Sequence, residues 1–430
     1  MALDYSTRTV RRTSAAPTQL KADLCVLGSG VAGVAAALET ARMGKRVVLV
    51  DGAPQLGGLA VGAMVGTFCG FYSNGPQPRL IQRGVAEEIL RDLRASGDTH
   101  DITGRRNTII VQYRVTALQR WIEEAVHRAG IDVVLGAVLQ TVHREGRRIT
   151  RLDLATRYGP IEVEARGFVD ASGDAALAWN AGFDCREPGE RIFGTNMFTL
   201  EGFEPSALAG FDRTLLAKRL EEKGAAYGVR RRDGFLFAPP GRDEALVNMT
   251  HVETPLDPVG ASRAMLDGRD QVDRLVRFLR AEFPEVFAKV RVRTYALPGI
   301  RQTRWIAGVY QLTAADVREG RGFDDAIARA SWPIELHNRP EGVHWEVFGD
   351  DHMHYVPFRS LIHPDADNLV AAGRCIDADP VALSAVRVMG PCIAMGTAAA
   401  HALDIAGAGS VHQLDLGALK GRLARNLTDA

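Results

Sequence analysis

Cysteine is scarce: the 430 residues contain five, at Cys25, Cys69, Cys185, Cys375 and Cys392. They are scattered, odd in number and without metal-ligand spacing. That excludes a disulfide framework, a structural zinc site and a Cys-x-x-Cys dithiol centre, and it predicts a reducing, cytoplasmic setting. Long apolar runs are missing, so no membrane span is expected. Arg11-Arg12 is followed by Thr13-Ser14-Ala15-Ala16-Pro17-Thr18-Gln19 rather than an apolar stretch, which argues against twin-arginine export. The first 20 residues read instead as a frayed arm or edge strand. Charge of one sign is missing too. Lys plus Arg number 52 and Asp plus Glu number 52, so no overall field draws the chain to nucleic acid or anionic lipid. There is no internal repeat and no low-complexity tract.

What is present is an alternation of buried strands and helices. Asp23-Leu24-Cys25-Val26-Leu27 reads as a short buried strand, followed by Gly28-Ser29-Gly30-Val31-Ala32-Gly33. An Ala-rich helix then runs to about Met43 and ends at Gly44, and a second buried strand ends at Asp51. This is a βαβ unit, and its continuous apolar strands suit a parallel sheet covered on both faces. Residues 53–80 read as loop with short helical pieces, 114–129 as an amphipathic helix and 131–135 as a third buried strand. From Ala137 to Phe168 the pattern alternates, with turns at Glu145-Gly146 and Tyr158-Gly159-Pro160, which predicts an antiparallel meander. The middle changes character, with mixed strands and helices near 206–223 and 261–283. Asn368–Gly373 is again strand-like, and an apolar helix follows from about Pro391 to Ala406.

The expected fold class is therefore α/β: a Rossmann-like domain with a parallel sheet and an antiparallel meander, plus an inserted α+β domain. The split domain takes residues 20–190 and 350–405, the insert takes 191–349, and 406–430 forms a tail or short helix.

The glycine motif carries the first chemistry. Gly28 turns the chain out of the strand, Gly30 admits a pyrophosphate against backbone N–H groups, and Gly33 lets helix and strand pack closely. Asp51, at the end of the next strand, stands where a carboxylate meets an adenosine ribose. NAD and FAD share this arrangement. FAD is favoured by the motif's nearness to the N-terminus, by the second glycine turn at Gly57-Gly58, and by the strand-turn-helix around Gly373-Arg374-Cys375-Ile376-Asp377. That last segment supplies the second wall that a three-ring flavin needs.

The chain resembles the FAD-dependent oxidoreductase family, within the fumarate-reductase/succinate-dehydrogenase-like flavoproteins with a glutathione-reductase-type Rossmann domain. The resemblance rests on Gly28-x-Gly30-x-x-Gly33, Gly57-Gly58-Leu59-Ala60, Val169-Asp170-Ala171-Ser172-Gly173-Asp174, Pro298–Arg304, Asn368–Asp377 and Val386–Gly396. It covers nearly the whole chain in order and implies noncovalent FAD. It further implies that Ser29, Ala32, Gly52, Leu59, Ala60, Ala171, Gly173, Gly373 and Arg374 line the cofactor. By the same resemblance Val138 offers backbone bonds to adenine and Asp377 meets the ribityl chain or pyrophosphate. Arg387, Met389, Gly390 and Ile393 surround a helix whose N-terminus points at the flavin pyrimidine ring.

A small-molecule substrate is expected between flavin and insert. Arg301 and Arg304 are candidate carboxylate clamps, against the plainer reading of ordinary ion pairs. His352 and His354 alternate on one face of an extended segment, with Tyr355 on the other. One of these histidines is the candidate base for hydride transfer, against a plain polar edge strand; the spacing also suits a metal, but no further Cys or His stands close by in the sequence. Cys69 reads as a redox thiol, a covalent flavin link or, more plainly, a packed small residue. His251 and His344 lack an informative context. The expected activity is hydride exchange between FAD and a CH–OH, CH–NH or activated C=C substrate. The alternatives are a structural or redox-neutral flavin, as in a lyase, isomerase or binding protein, and a flavin-free NAD-dependent dehydrogenase. The electron acceptor is unassigned, and the apolar insert is compatible with a homodimer.

Overall fold

The computed structural model describes residues 7–11, 16–104, 108–238 and 243–428. Arg12 and the three residues after it, part of the N-terminal segment weighed above as an export signal, lie outside the described residues.

The fold class is α/β, organised on a 7-stranded sheet. Thr18–Leu27 lies at its centre, flanked in parallel by Val47–Asp51 on one side and Gly159–Asp170 on the other. Asp132–Leu135 extends it beyond Val47–Asp51, also in parallel. The expected meander is present: Val138–Glu145, Arg148–Thr156 and Gly159–Asp170 pair antiparallel in succession. Gly159–Asp170 divides its outer edge. Its first half pairs with the meander, and its last residues pair in parallel with Leu369–Ala371. The C-terminal part of the chain thus completes the sheet next to Asp170.

Helices Val31–Arg42 and Met389–Ala406 pack together, and the latter is buried on nearly all sides. Continuous Ala and Gly make this contact close. A Cβ added to Gly396 would lie 1.9 Å from the carbonyl oxygen of Ala32. Among the described residues no single helix is long and apolar enough to cross a membrane.

A second hydrophobic core is separate from the first. It is built from Phe198, Leu200, Val247, Phe278 and their neighbours. Its sheet runs Phe235–Phe237, Glu244–Asn248, Thr195–Glu201, Arg291–Gly299, with helix Pro258–Glu282 packed against it. The two faces of this sheet divide the labour by the period of two. Leu236, Ala245, Val247, Phe198 and Leu200 fill the second core, whereas Phe237, Leu246 and Met197 face the first domain. This second core draws on Phe198 to Val290, while Ile306, Leu312, Ile327, Ile334 and Phe348 pack into the first core. Leu416–Leu427 is helical and docks Leu419 and Leu423 on the first core.

Candidate active site

The glycine loop is shaped by two contacts and one opening. Gly28 has φ +101°, and a Cβ there would meet the Ala171 carbonyl at 2.2 Å. A Cβ on Gly33 would lie 1.8 Å from the Gly28 carbonyl oxygen. A Cβ on Gly30, by contrast, would meet nothing within 4 Å. Gly28 and Gly33 are thus required by the protein's own packing, and Gly30 leaves room for a ligand. Gly30 is also the N-cap of Val31–Arg42, with no side-chain cap and no acid in the first turn, so its N–H groups are open to an anion.

Asp51 holds this loop. Its Oδ2 accepts from Ser29 N at 2.6 Å and Ser29 Oγ at 2.7 Å, and its Oδ1 accepts from Ala53 N at 2.7 Å. A carboxylate oxygen takes two such bonds, so Oδ1 keeps a free lone pair toward the cavity.

One cavity of about 410 Å³ extends from this loop to the second core's sheet. Gly28, Gly30, Ala32, Asp51, Gly58, Leu59 and Ala60 line its first end. Ala171, Gly173, Gly373, Arg374, Arg387 and Met389 line the middle. Arg374 Nη1 is buried without a hydrogen-bond partner, and the nearest carboxylate oxygen, on Asp174, is 3.9 Å away. The N-terminus of Met389–Ala406 opens here as well, again with no side-chain cap and no acid in its first turn. Two uncapped helix N-termini and an unpartnered guanidinium nitrogen thus share a cavity whose Gly30 wall is open. These features fit the pyrophosphate and pyrimidine ends of FAD.

The far end lies under the second sheet. Thr195, Met197, Phe235, Phe237 and Asn248 form one wall, and Arg301, Trp332, Glu335 and Trp345 form the other. Glu335 and Trp345 are cross-strand partners in the hairpin Ile334–Arg339/Gly342–Glu346. Ile334 and Leu336 point into the first core, which turns Glu335 and His337 together the other way. Arg301 is 7% exposed and donates to the Phe193 carbonyl at 2.8 Å. Burial, followed by the charges of Arg387 and Arg231, pushes its pKa down. The end of the cavity therefore carries concentrated positive charge.

Several expected site residues sit elsewhere. His354 is fully buried, does not line the cavity, and its imidazole meets the Ala385 backbone. His352 hands its Nε2 to the Val317 carbonyl at 2.9 Å and stacks on Phe348. Tyr355 pairs across strands with Arg329, away from the cavity. The register of this segment against Ala326–Ala330 turns His354 into the core. Arg304 pairs with Glu187 at 3.3 Å and lies over the Trp179 ring, outside the cavity lining. Asp377 is not at the cavity: Arg186, Trp305, Gly308 N and Gln311 all donate to its buried carboxylate. Val138 is 62% exposed and off the cavity wall, as are Gly52 and Ser29, the latter acting through Asp51. Gly33, Gly57, Gly390 and Ile393 support the wall from behind, Gly390 by packing against the Gly70 backbone. Cys69 and Cys392 do line the cavity, and burial raises both thiols, Cys392 to about 12. Among the described residues no cluster of three or more His, Cys, Asp or Glu is arranged to hold a metal.

Glu335, Trp332, Trp345, His337 and His251 were not among the expected residues. Glu335-Leu336-His337 does carry a signal in retrospect, an acid and an imidazole at strand spacing. His251 carries none, since the hydrogen-bond partners of its ring lie 86 and 89 residues away.

A family model described as FAD dependent oxidoreductase matches residues 23–423. Solved structures similar to this chain include a geranylgeranyl bacteriochlorophyll reductase-like protein from Thermoplasma acidophilum. It is 13% identical, with 95% of this chain and 86% of that chain covered, at a TM-score of 0.49. CabE, an aromatic hydroxylase from angucycline biosynthesis, is 14% identical over 94% of this chain and 65% of its own, at 0.46. The flavin-dependent brominase Bmp2 is 14% identical over 94% of this chain and 83% of its own, at 0.46.

Proposed function

The chain belongs to the FAD-dependent oxidoreductase family, and from that premise we propose that it exchanges a hydride between FAD and a small organic acid bearing a CH–OH, CH–NH or activated C=C group. The observation that carries this reading is the continuity of one cavity, from Gly30 and Asp51 to Arg301, Glu335 and Trp332. A dinucleotide laid along its first part directs its flavin end toward those side chains. Bound FAD supplies a two-electron acceptor or donor at N5.

The protein's own residues supply binding, orientation and charge. Arg301 lines the far end and Arg387 the middle next to it, and each guanidinium donates one hydrogen bond to a backbone carbonyl, of Phe193 and Glu335 respectively. Their remaining N–H groups are available to a substrate carboxylate or to negative charge developing on the flavin pyrimidine. Trp332, Trp345, Phe235 and Phe237 exclude water and accept the apolar part of the substrate. FAD is noncovalent in this reading, since neither cavity thiol is activated. The reading extends to the fumarate-reductase-like branch of flavoproteins and to a reducing compartment, in keeping with five unpaired cysteines. The electron acceptor is a separate small molecule or protein.

The test is anaerobic reduction of the bound flavin by a panel of hydroxy acids, amino acids and their methyl esters. Bleaching by acids but not by esters supports the reading. Bleaching by esters and acids alike would remove the carboxylate clamp. No bleaching by any member, with reoxidation of chemically reduced protein by unsaturated acids also absent, would remove hydride exchange with this substrate class.

A further inference from the structure

A chain of three contacts leads away from the cavity at Glu335. Its Oε1 lies 2.9 Å from His337 Nε2. His337 Nδ1 lies 2.9 Å from His251 Nε2, and His251 Nδ1 lies 3.1 Å from the Pro340 carbonyl oxygen. Glu335 Oε2 accepts from the Trp332 indole at 3.1 Å. Both histidines are buried, and the Phe193 ring stacks on His251 at 5.5 Å.

Counting protons along this chain gives an uneven result. A carbonyl only accepts, so a hydrogen bond to Pro340 requires a proton on His251 Nδ1. A neutral His251 then accepts at Nε2, and His337 must donate from Nδ1. A neutral His337 is left with a bare Nε2 facing a carboxylate oxygen. Two neutral imidazoles and a carboxylate carry two protons, whereas three hydrogen bonds need three. The surroundings oppose placing the third on either ring. Burial and the charges of Arg231 and Arg301 push His251 down to about 2, and His337 is lowered by burial, those two arginines and Arg387. Asp233 offsets Arg231, to which it is bound at 2.6 Å. Cys69, Arg301 and Arg387 face Glu335 from the cavity side. The resting chain therefore holds two protons, and the place its geometry leaves for a third, when one arrives, is Glu335 Oε1 at the cavity wall.

We propose that Glu335 is the catalytic residue that exchanges a proton with the substrate, and that His337 and His251 are positioning residues that direct the incoming proton to Glu335 Oε1. The inference rests on the hydride-transfer reading above. In oxidation, the substrate C–H bond breaks and its electron pair leaves with the hydride, which reduces the flavin. The substrate O–H or N–H bond breaks as well, its proton goes to the Glu335 carboxylate, and C=O or C=N forms. The chain thereby passes from two protons to three, and the Glu335–His337 contact becomes a hydrogen bond. In reduction the same proton returns.

Glu335→Gln separates the roles, because its amide N–H still donates to His337 Nε2 but exchanges no proton. The FAD-loaded wild type and E335Q are compared by 15N NMR of the histidine rings and by anaerobic flavin reduction across pH. We expect His337 to carry its proton on Nδ1 in both proteins, flavin reduction to slow about 100-fold or more in E335Q, and its pH dependence to flatten. His337 protonated on Nε2 in the wild type with a bare His251 Nδ1 would overturn the positioning role, because Glu335 Oε1 would then already accept a hydrogen bond. Reduction by E335Q within about threefold of wild type would overturn the catalytic assignment. The ring tautomers decide whether the two histidines leave a bare Nε2 facing Glu335 even where no substrate bleaches the wild-type flavin, the outcome that would instead overturn hydride transfer.

Discussion

The Ala32 carbonyl oxygen and the Gly396 Cα meet where the two cavity-facing helices cross, and a methyl group on Gly396 would reach within 1.9 Å of that oxygen. The contact fixes the two helix N-termini relative to each other, and both open on the same cavity. Gly396→Ala must push the helices apart. Overpacking of this kind costs about 1–3 kcal/mol. We expect a lower thermal midpoint and a weaker FAD affinity, read by calorimetry and by flavin titration of the apoprotein. A drop in midpoint with unchanged FAD affinity would mean that the crossing supports the fold without positioning the cofactor.

Gly30 and Gly33 separate ligand space from protein space. A side chain on Gly30 enters the open cavity, whereas one on Gly33 collides with the Gly28 backbone. Gly30→Val is expected to fold with an unchanged far-ultraviolet circular dichroism spectrum but to purify colourless. Gly33→Val is expected to fail at the level of folding. A yellow Gly30→Val protein with native flavin content would place the pyrophosphate elsewhere.

Arg301→Met tests the anion clamp. The guanidinium is buried beside Arg231 and Arg387, and one of its bonds goes to Phe193. Hydrogen bonds to charged groups are worth about 1.5–3 kcal/mol, so kcat/KM for an acidic substrate should fall by about 10–100-fold. The loss should be absent for the matching ester. Equal losses for acid and ester would point to a role in shaping the wall.

The first domain was legible because its signals are local. Gly28, Gly30 and Gly33 follow one strand, open one helix and precede Asp51, and each lies within a single βαβ unit. The meander announced itself by alternation, and Met389–Ala406 by its apolar run. The far end of the cavity was not legible, because its geometry is set by long-range register. His352 and His354 alternate correctly for a strand, yet pairing with Ala326–Ala330 turns His354 inward. Asp377 sits in a motif shared with cofactor-binding segments, but four donors from 186–311 turn its carboxylate away from the cavity. Glu335, His337 and His251 come together only through the folding of the hairpin at Ile334–Glu346 onto the second sheet's end.

His354 has a consequence for stability rather than for turnover. Its imidazole is buried, and burial together with the neighbouring His352 lowers its pKa from 6.5 to about 3. The unfolded chain therefore takes up a proton as pH falls through about 6.5, while the folded chain takes none until about 3. Between those values the unfolded state binds more protons, so stability rises with pH and is lost on acidification. One such group contributes a limiting slope of about 1.4 kcal/mol per pH unit. His354→Leu removes the imidazole without leaving an unpartnered polar group. Its unfolding free energy, measured by urea denaturation from pH 7 to pH 4, should fall less steeply than that of the wild type. Anaerobic flavin reduction at pH 7 should be unchanged. A reduction rate lowered tenfold, with the acid slope unaltered, would return this histidine to the mechanism.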